Sequence, residues 1–166
     1  MSNYNLINAI SSYLKQVTNF LEQQTAITKA PKIYKRRRGT VIIDTTEGIL
    51  VVSGKEKRFF LLPGGGAEYF ESRKQAALRE LQEETNLKAS EVTYLFSHVG
   101  ATYKFKGSLK RNHHKVFLVK ASGIPQPTNE VKYIEYYQPG TQIRLSSSTQ
   151  EIIEKYLIYK QRGESI

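Results

Sequence analysis

The stretch from Gly64 to Leu87, GGGAEYFESRKQAALRELQEETNL, decides the fold. Three glycines follow Pro63 and close a short apolar run, so the backbone there can approach a bulky anion and take dihedrals closed to residues bearing a Cβ. From Ser72 to Thr85 the pattern turns helical, with Ala76, Ala77, Leu78 and Leu81 as an apolar stripe and polar residues elsewhere. Asn86 follows at the place where helices end in a left-handed residue, a conformation Asn accepts second only to Gly.

Residues three and four apart share one face of a helix, so Glu80, Glu83 and Glu84 project to the same side. Like charges so placed repel each other, and three carboxylates within a turn imply a cation among them. Hard oxygen donors without His or Cys favour Mg²⁺, with Mn²⁺ as the alternative, over zinc. Arg79 can hold one of these carboxylates in place more rigidly than lysine would. A carbonyl of the glycine loop can add a neutral ligand. A cation bridging two phosphates neutralises charge, orients the diphosphate and acidifies water, which are the requirements of phosphoanhydride hydrolysis.

Gly65, five residues, Glu71, seven residues, Arg79-Glu80-Leu81, one residue, Glu83-Glu84, one residue, Asn86-Leu87 resembles the box of the Nudix (MutT-like) hydrolases. One position departs, since Asn86 stands where the family has its last glycine. The resemblance implies that Glu80 and Glu84 bind the metal, with Glu83 as a further ligand or as the base that activates water. It implies the Gly65 carbonyl as a ligand, Arg79 as the group orienting the glutamates, and Glu71 as support for the metal site. Family members place an extra acidic group in loops after the box, which makes Glu130 a catalytic candidate here. The flanking Gly64 and Gly66, with Arg38, Tyr103 and His113, are the expected substrate contacts. His98 and His114, like His113, could contact phosphate or assist proton transfer, although a histidine flanking a strand is more often structural.

Outward from the box, β-branched and apolar runs predict strands at Thr40–Asp44, Ile49–Ser53 and Phe59–Leu62 before it. After it, strands are predicted at residues 92–99, 103–106, 115–120 and 131–136. Ser147 and Ser148, followed by Gln150 and Glu151, read as a capping signature opening a last helix. Near the start, Leu6, Ile7, Ile10, Tyr13, Leu14, Val17 and Leu21 recur at helical spacing, and residues 25–32 read as a linker. The expected architecture is α+β, an α/β/α sandwich with a mixed sheet packed between helices, with an added N-terminal helix. The expected division is 1–30 for helix and linker and 31–166 for the Nudix domain.

The chain has 166 residues, no cysteine and a formal charge of +10. Without cysteines there is no disulfide framework, thiolate site or Cys nucleophile, which suits a reducing, cytoplasmic setting. No apolar stretch approaches membrane-spanning length, and no secretory leader is evident. The charge favours anionic partners. The N-terminal helix has a nearly uncharged polar face, which suits docking on the domain or on a second subunit, so a homodimer is one expectation. Arg36-Arg37-Arg38 cannot all point one way on a strand, so the run is not a single-face patch.

The triple glycine, the basic stretch before the first strand and Tyr103 beyond the box resemble dinucleoside polyphosphate and diphosphoinositol hydrolases. The expected substrate is therefore a small nucleoside-diphosphate-linked compound: a dinucleoside polyphosphate, a nucleoside triphosphate or a nucleotide sugar. An RNA 5′-end pyrophosphohydrolase is the second reading, with nucleic acid as a less favoured partner. A non-catalytic ligand-binding module is the third.

Overall fold

Ten residues, Ile33–Ile42, form the strand around which the larger part of the chain is organised (β1). The structure, a computed structural model, describes residues 3–28, 31–128 and 130–163, with side chains described from residue 7 to 23 and from 31 onward within those ranges. The chain divides into two units, Met1–Lys32 and Ile33–Ile166. In the first, helix α1 spans Asn3–Thr28. It runs beyond Leu21, where the apolar periodicity stops, because the good helix formers Glu22, Gln23, Gln24 and Ala26 carry it on. Residues 25–28, expected in a linker, are therefore helical.

After β1 come β2 (Asp44–Thr45), β3 (Gly48–Ser53), β4 (Gly64–Gly66), helix α2 (Arg73–Thr85), β5 (Lys88–Phe105), β6 (Ser108–Ser122), β7 (Tyr133–Tyr137) and helix α3 (Ser147–Gln161). Four strands form one sheet in the order β4-β1-β6-β5, with β1 and β6 parallel and the other pairs antiparallel. A second sheet has the order β2-β3-β7. The expected α+β arrangement is present.

Side chains alternate along β1, and the alternation builds two cores. Val41 and Ile43 join Leu50, Ala77, Leu81 and Phe117 in a cluster that includes α2. Ile42 joins Val51, Phe96, Val116, Ile152 and Ile153 in a cluster that includes α3. A mixed sheet thus lies between helices on its two faces.

Several boundaries differ from the sequence reading. The first strand begins at Ile33, so the arginine run lies inside it. Residues 59–62 make isolated bridges, Val52 to Leu61 and Phe60 to Leu145, and no full strand. The stretches 92–99 and 103–106 belong to one long strand interrupted by β-bulges, one of them between Val99 and Thr102. The last helix is capped by Ser146, whose hydroxyl accepts from the Thr149 amide, one residue ahead of the expected pair. Helix α2 is capped by Ser72 in a reciprocal box with Gln75, and Asn86 ends it at φ 59°.

Candidate active site

The glycine strand β4 pairs with β1 through Arg38 to Gly66, Gly39 to Gly65 and Thr40 to Gly64. Helix α2 lies directly against β1, since a Cβ on Gly39 would fall 2.0 Å from the Arg73 carbonyl and 2.6 Å from the Ala77 amide. That close packing brings the glutamates of α2 to the glycine loop. A Cβ on Gly65 would lie 1.8 Å from Glu80 Oε1.

Arg79 is the hub of the cluster. Its Nε and Nη2 donate to the two carboxylate oxygens of Glu71 at 2.9 and 3.1 Å. Nη1 donates to Glu80 and to Glu83, both at 3.0 Å, and Nη2 reaches the Gly66 carbonyl at 3.2 Å. Only a planar, forked cation can serve so many acceptors at once. The Arg79 bonds, with a further one from the Glu68 amide, hold the Glu71 carboxyl below the usual carboxylate range. Glu84 accepts from the Gly64 amide at 3.0 Å. Burial pushes its carboxyl up to about 7, against the pull of the Gly64 amide and with help from the charge of Glu80.

Glu80, Glu83, Glu84 and Glu130 line a single cavity of about 340 Å³. Glu130 reaches it because the loop ahead of β7 is tied to the end of α2. Thr128 Oγ1 donates to the Glu83 carbonyl, and the Gln126 amide donates to the Thr85 carbonyl at 2.9 Å. Among the described residues no three carboxyl groups yet converge as ligands on one point, since Arg79 draws Glu80 and Glu83 and the loop amide draws Glu84. The donor set nevertheless fits a hard divalent ion: it is oxygen only, with four acidic side chains facing one cavity.

Glu84 also lines a second cavity, of about 470 Å³, shared with Arg38, Thr40, Tyr103, Asn112, His114 and Ser148. Arg38 Nη2 donates to the Gly64 carbonyl at 2.9 Å, and Arg36 Nη1 donates to the Tyr103 hydroxyl at 3.2 Å. Tyr103 in turn donates to Asn112 Oδ1 at 3.1 Å. His114 shares a bond between Nδ1 and Thr40 Oγ1 at 2.8 Å. Burial, reinforced by the charge of Arg38, pulls its imidazole down to about 4, so it is neutral at physiological pH. Its Nε2 and the hydroxyl of Ser148 are buried without a protein partner.

The expected contacts Gly64, Arg38 and Tyr103 therefore meet around one cavity, whereas Gly66 serves Arg79. His114 lines this cavity and His113 does not. In β6 the two rings alternate across the sheet, His114 pairing with Arg38 and His113 with Arg37, whose side chain turns to the Glu71 carbonyl. His98 lies 3.3 Å from Glu151 of α3. Arg36, Asn112 and Ser148 were not among the expected substrate contacts. The signal for Arg36 was present, because in a strand the first and third residues of an arginine run share a face.

A family model described as the NUDIX domain matches residues 33–156. The chain belongs to the Nudix family. Among solved structures, a protein assigned to the nudix hydrolase family from Chromobacterium violaceum is 36% identical, with 79% of this chain and 81% of that chain covered and a TM-score of 0.63. E. coli ORF135 is 22% identical over 82% of this chain and 100% of its own, at TM-score 0.64. A C. elegans Ap4A hydrolase is 16% identical over 78% and 98%, at TM-score 0.60, which shows a shared fold. No curated protein matches. This Nudix hydrolase has the box residues on α2 and its preceding loop, and no described helix is long and apolar enough to cross a membrane.

Proposed function

We propose that this Nudix hydrolase cleaves the diphosphate linkage of nucleoside-diphosphate-linked substrates: dinucleoside polyphosphates, nucleoside triphosphates or nucleotide sugars. One observation carries the reading. A cavity lined by four glutamates shares Glu84 with a second cavity bearing Arg38, Tyr103 and neutral His114. The first suits a cation and the second an anion attached to a neutral group.

Glu80, Glu84 and the Gly65 carbonyl would hold Mg²⁺, or Mn²⁺ in its place, with Glu83 and Glu71 beside them. When bound, the ion offsets diphosphate charge and acidifies water. Arg38 lies where it can neutralise a phosphate next to Glu84. Water adds across one P–O–P bond: its oxygen joins one phosphorus, the bridging oxygen leaves with the other, and Glu83 accepts the proton. Arg79 bridges Glu83 and Glu80 through Nη1 and so fixes one carboxylate relative to the other. A purely ligand-binding role would not require all the acidic positions of the box to be intact. The cysteine-free sequence suits the reducing cytoplasm.

The test is product release with Mg²⁺ across these nucleotide classes, read by chromatography as the mononucleotide, pyrophosphate or sugar phosphate formed, run beside Glu83→Gln. Glu83 is exposed, so the variant should fold and melt like wild type while its turnover falls by about a hundredfold or more. Wild-type turnover in Glu83→Gln would overturn the assignment of this residue, and no release from any class would overturn the reading.

A further inference from the structure

Charge is divided sharply within the domain. No Asp or Glu occurs from residue 23 to 43 or from 92 to 129, and those stretches supply all of β1 and β6 and most of β5. The distal parts of these three strands form a ribbon whose rows are set by register. Arg38 pairs with His114 and His114 with His98; Arg36 pairs with Asn112; Tyr34 pairs with Lys110 and Lys110 with Tyr103. The bonds from Arg36 to Tyr103 and from Tyr103 to Asn112 place these groups on one face, the face that carries His114 and the second cavity.

Along that face burial falls steadily outward. His114 and Thr40 are buried, Arg38, Arg36 and Tyr103 are half-buried, and Tyr34 and Phe105 are exposed by 48% and 45%. Cations and rings alternate: Lys110 Nζ sits 4.6 Å from the centroid of Phe105. From Arg38 to Tyr34 the strand runs about 13 Å at the usual rise per residue. Spaced cations beside flat rings are the features that hold single-stranded nucleic acid, the cations taking phosphates and the rings stacking on bases.

We propose that this face of the β1-β6-β5 ribbon binds single-stranded nucleic acid, leading its 5′ end into the cavity beside Glu84. Entry of a 5′-polyphosphate as substrate rests on the pyrophosphohydrolase reading; binding along the ribbon does not. A membrane surface fits less well, because a flat bilayer would seal the cavity that continues the same face.

The test is fluorescence anisotropy of the full chain with a 3′-labelled ten-nucleotide RNA, with a 5′-triphosphate or a 5′-hydroxyl, at several salt concentrations. Both RNAs should bind, with a slope of log K against log salt of about −2 if Arg36, Arg38 and Lys110 each meet one phosphate. The double variant Lys110→Ala/Phe105→Ala should bind at least tenfold more weakly with a shallower slope. Lys74→Ala, at an exposed site on α2, should bind as wild type, and melting curves confirm folding. Wild-type RNA affinity in the double variant, or vesicles of anionic lipid displacing the RNA completely, would overturn the track. Glu83→Gln separates the two readings: it should retain RNA binding while losing hydrolysis. A dead Glu83→Gln with an unaffected double variant removes the track alone, and an active Glu83→Gln with a weakened double variant removes the catalytic assignment alone.

Discussion

A methyl group at position 65 would fall 1.8 Å from Glu80 Oε1 and 2.1 Å from its carboxyl carbon. The obstacle is the end of a flexible side chain, so the backbone can stay and Glu80 must swing away from Arg79. Gly65→Ala is therefore expected to keep its melting temperature within a few degrees and to lose activity. A displacement of about 1 Å at a reacting centre costs on the order of a hundredfold. Measuring kcat/KM beside a thermal melt checks it; a variant that unfolds would show that the glycine serves the strand and not the carboxylate. The sequence marked Gly65 as a carbonyl donor in a loop that can approach an anion; its close approach to Glu80 is what the structure adds.

At the scale of elements, Glu130 is positioned by a loop that Thr128 and Gln126 tie to the last turn of α2. Thr128→Val keeps the side-chain shape and removes the donor. We expect it to lower turnover about as much as Glu130→Gln, on the order of tenfold, as loss of an orienting bond does. The two changes together should cost little more than either alone, because both remove the same carboxylate from the cavity. Full additivity would show that Thr128 acts elsewhere. Helix α2 and its end at Asn86 were legible in the sequence from local signals, whereas the capping box of Ser72 and Gln75 emerges from the structure. The cavity beyond it was not. Arg38, Tyr103 and His114 come from three strands, and their meeting depends on register, which no local pattern records. The alternation of Arg36 and Arg38 was visible, but only pairing with β6 shows what they face.

At the scale of the molecule, the crowding of acids at one site makes the metal-free protein sensitive to pH. Burial raises the Glu84 carboxyl from 4.5 to about 7, so between those values the folded state holds a proton that the unfolded chain has released. Its contribution to stability is fully present below pH 4.5 and is lost as pH rises through 7. Melting in EDTA should fall over that window, and Mg²⁺ should restore it most at the alkaline end, with protons released on binding. A flat profile in EDTA, or glutamine at position 84 with the same slope, would assign the effect to other groups. The basic ribbon adjoins this acidic site through the cavity that Glu84 shares, and what it presents to a ligand depends on how one extra residue is accommodated. Between Val99 and Thr102, three steps along β5 match two along β6. Were the same residues forced into a regular ladder with none bulged, odd and even positions would exchange sides, turning Thr102 and Lys104 inward in place of Tyr103 and Phe105. Deleting Ala101 would remove the extra residue and the bulge together and leave Tyr103 opposite Lys110, so the lining of this face rests on how the ladder absorbs one residue and not on which letters the strand contains.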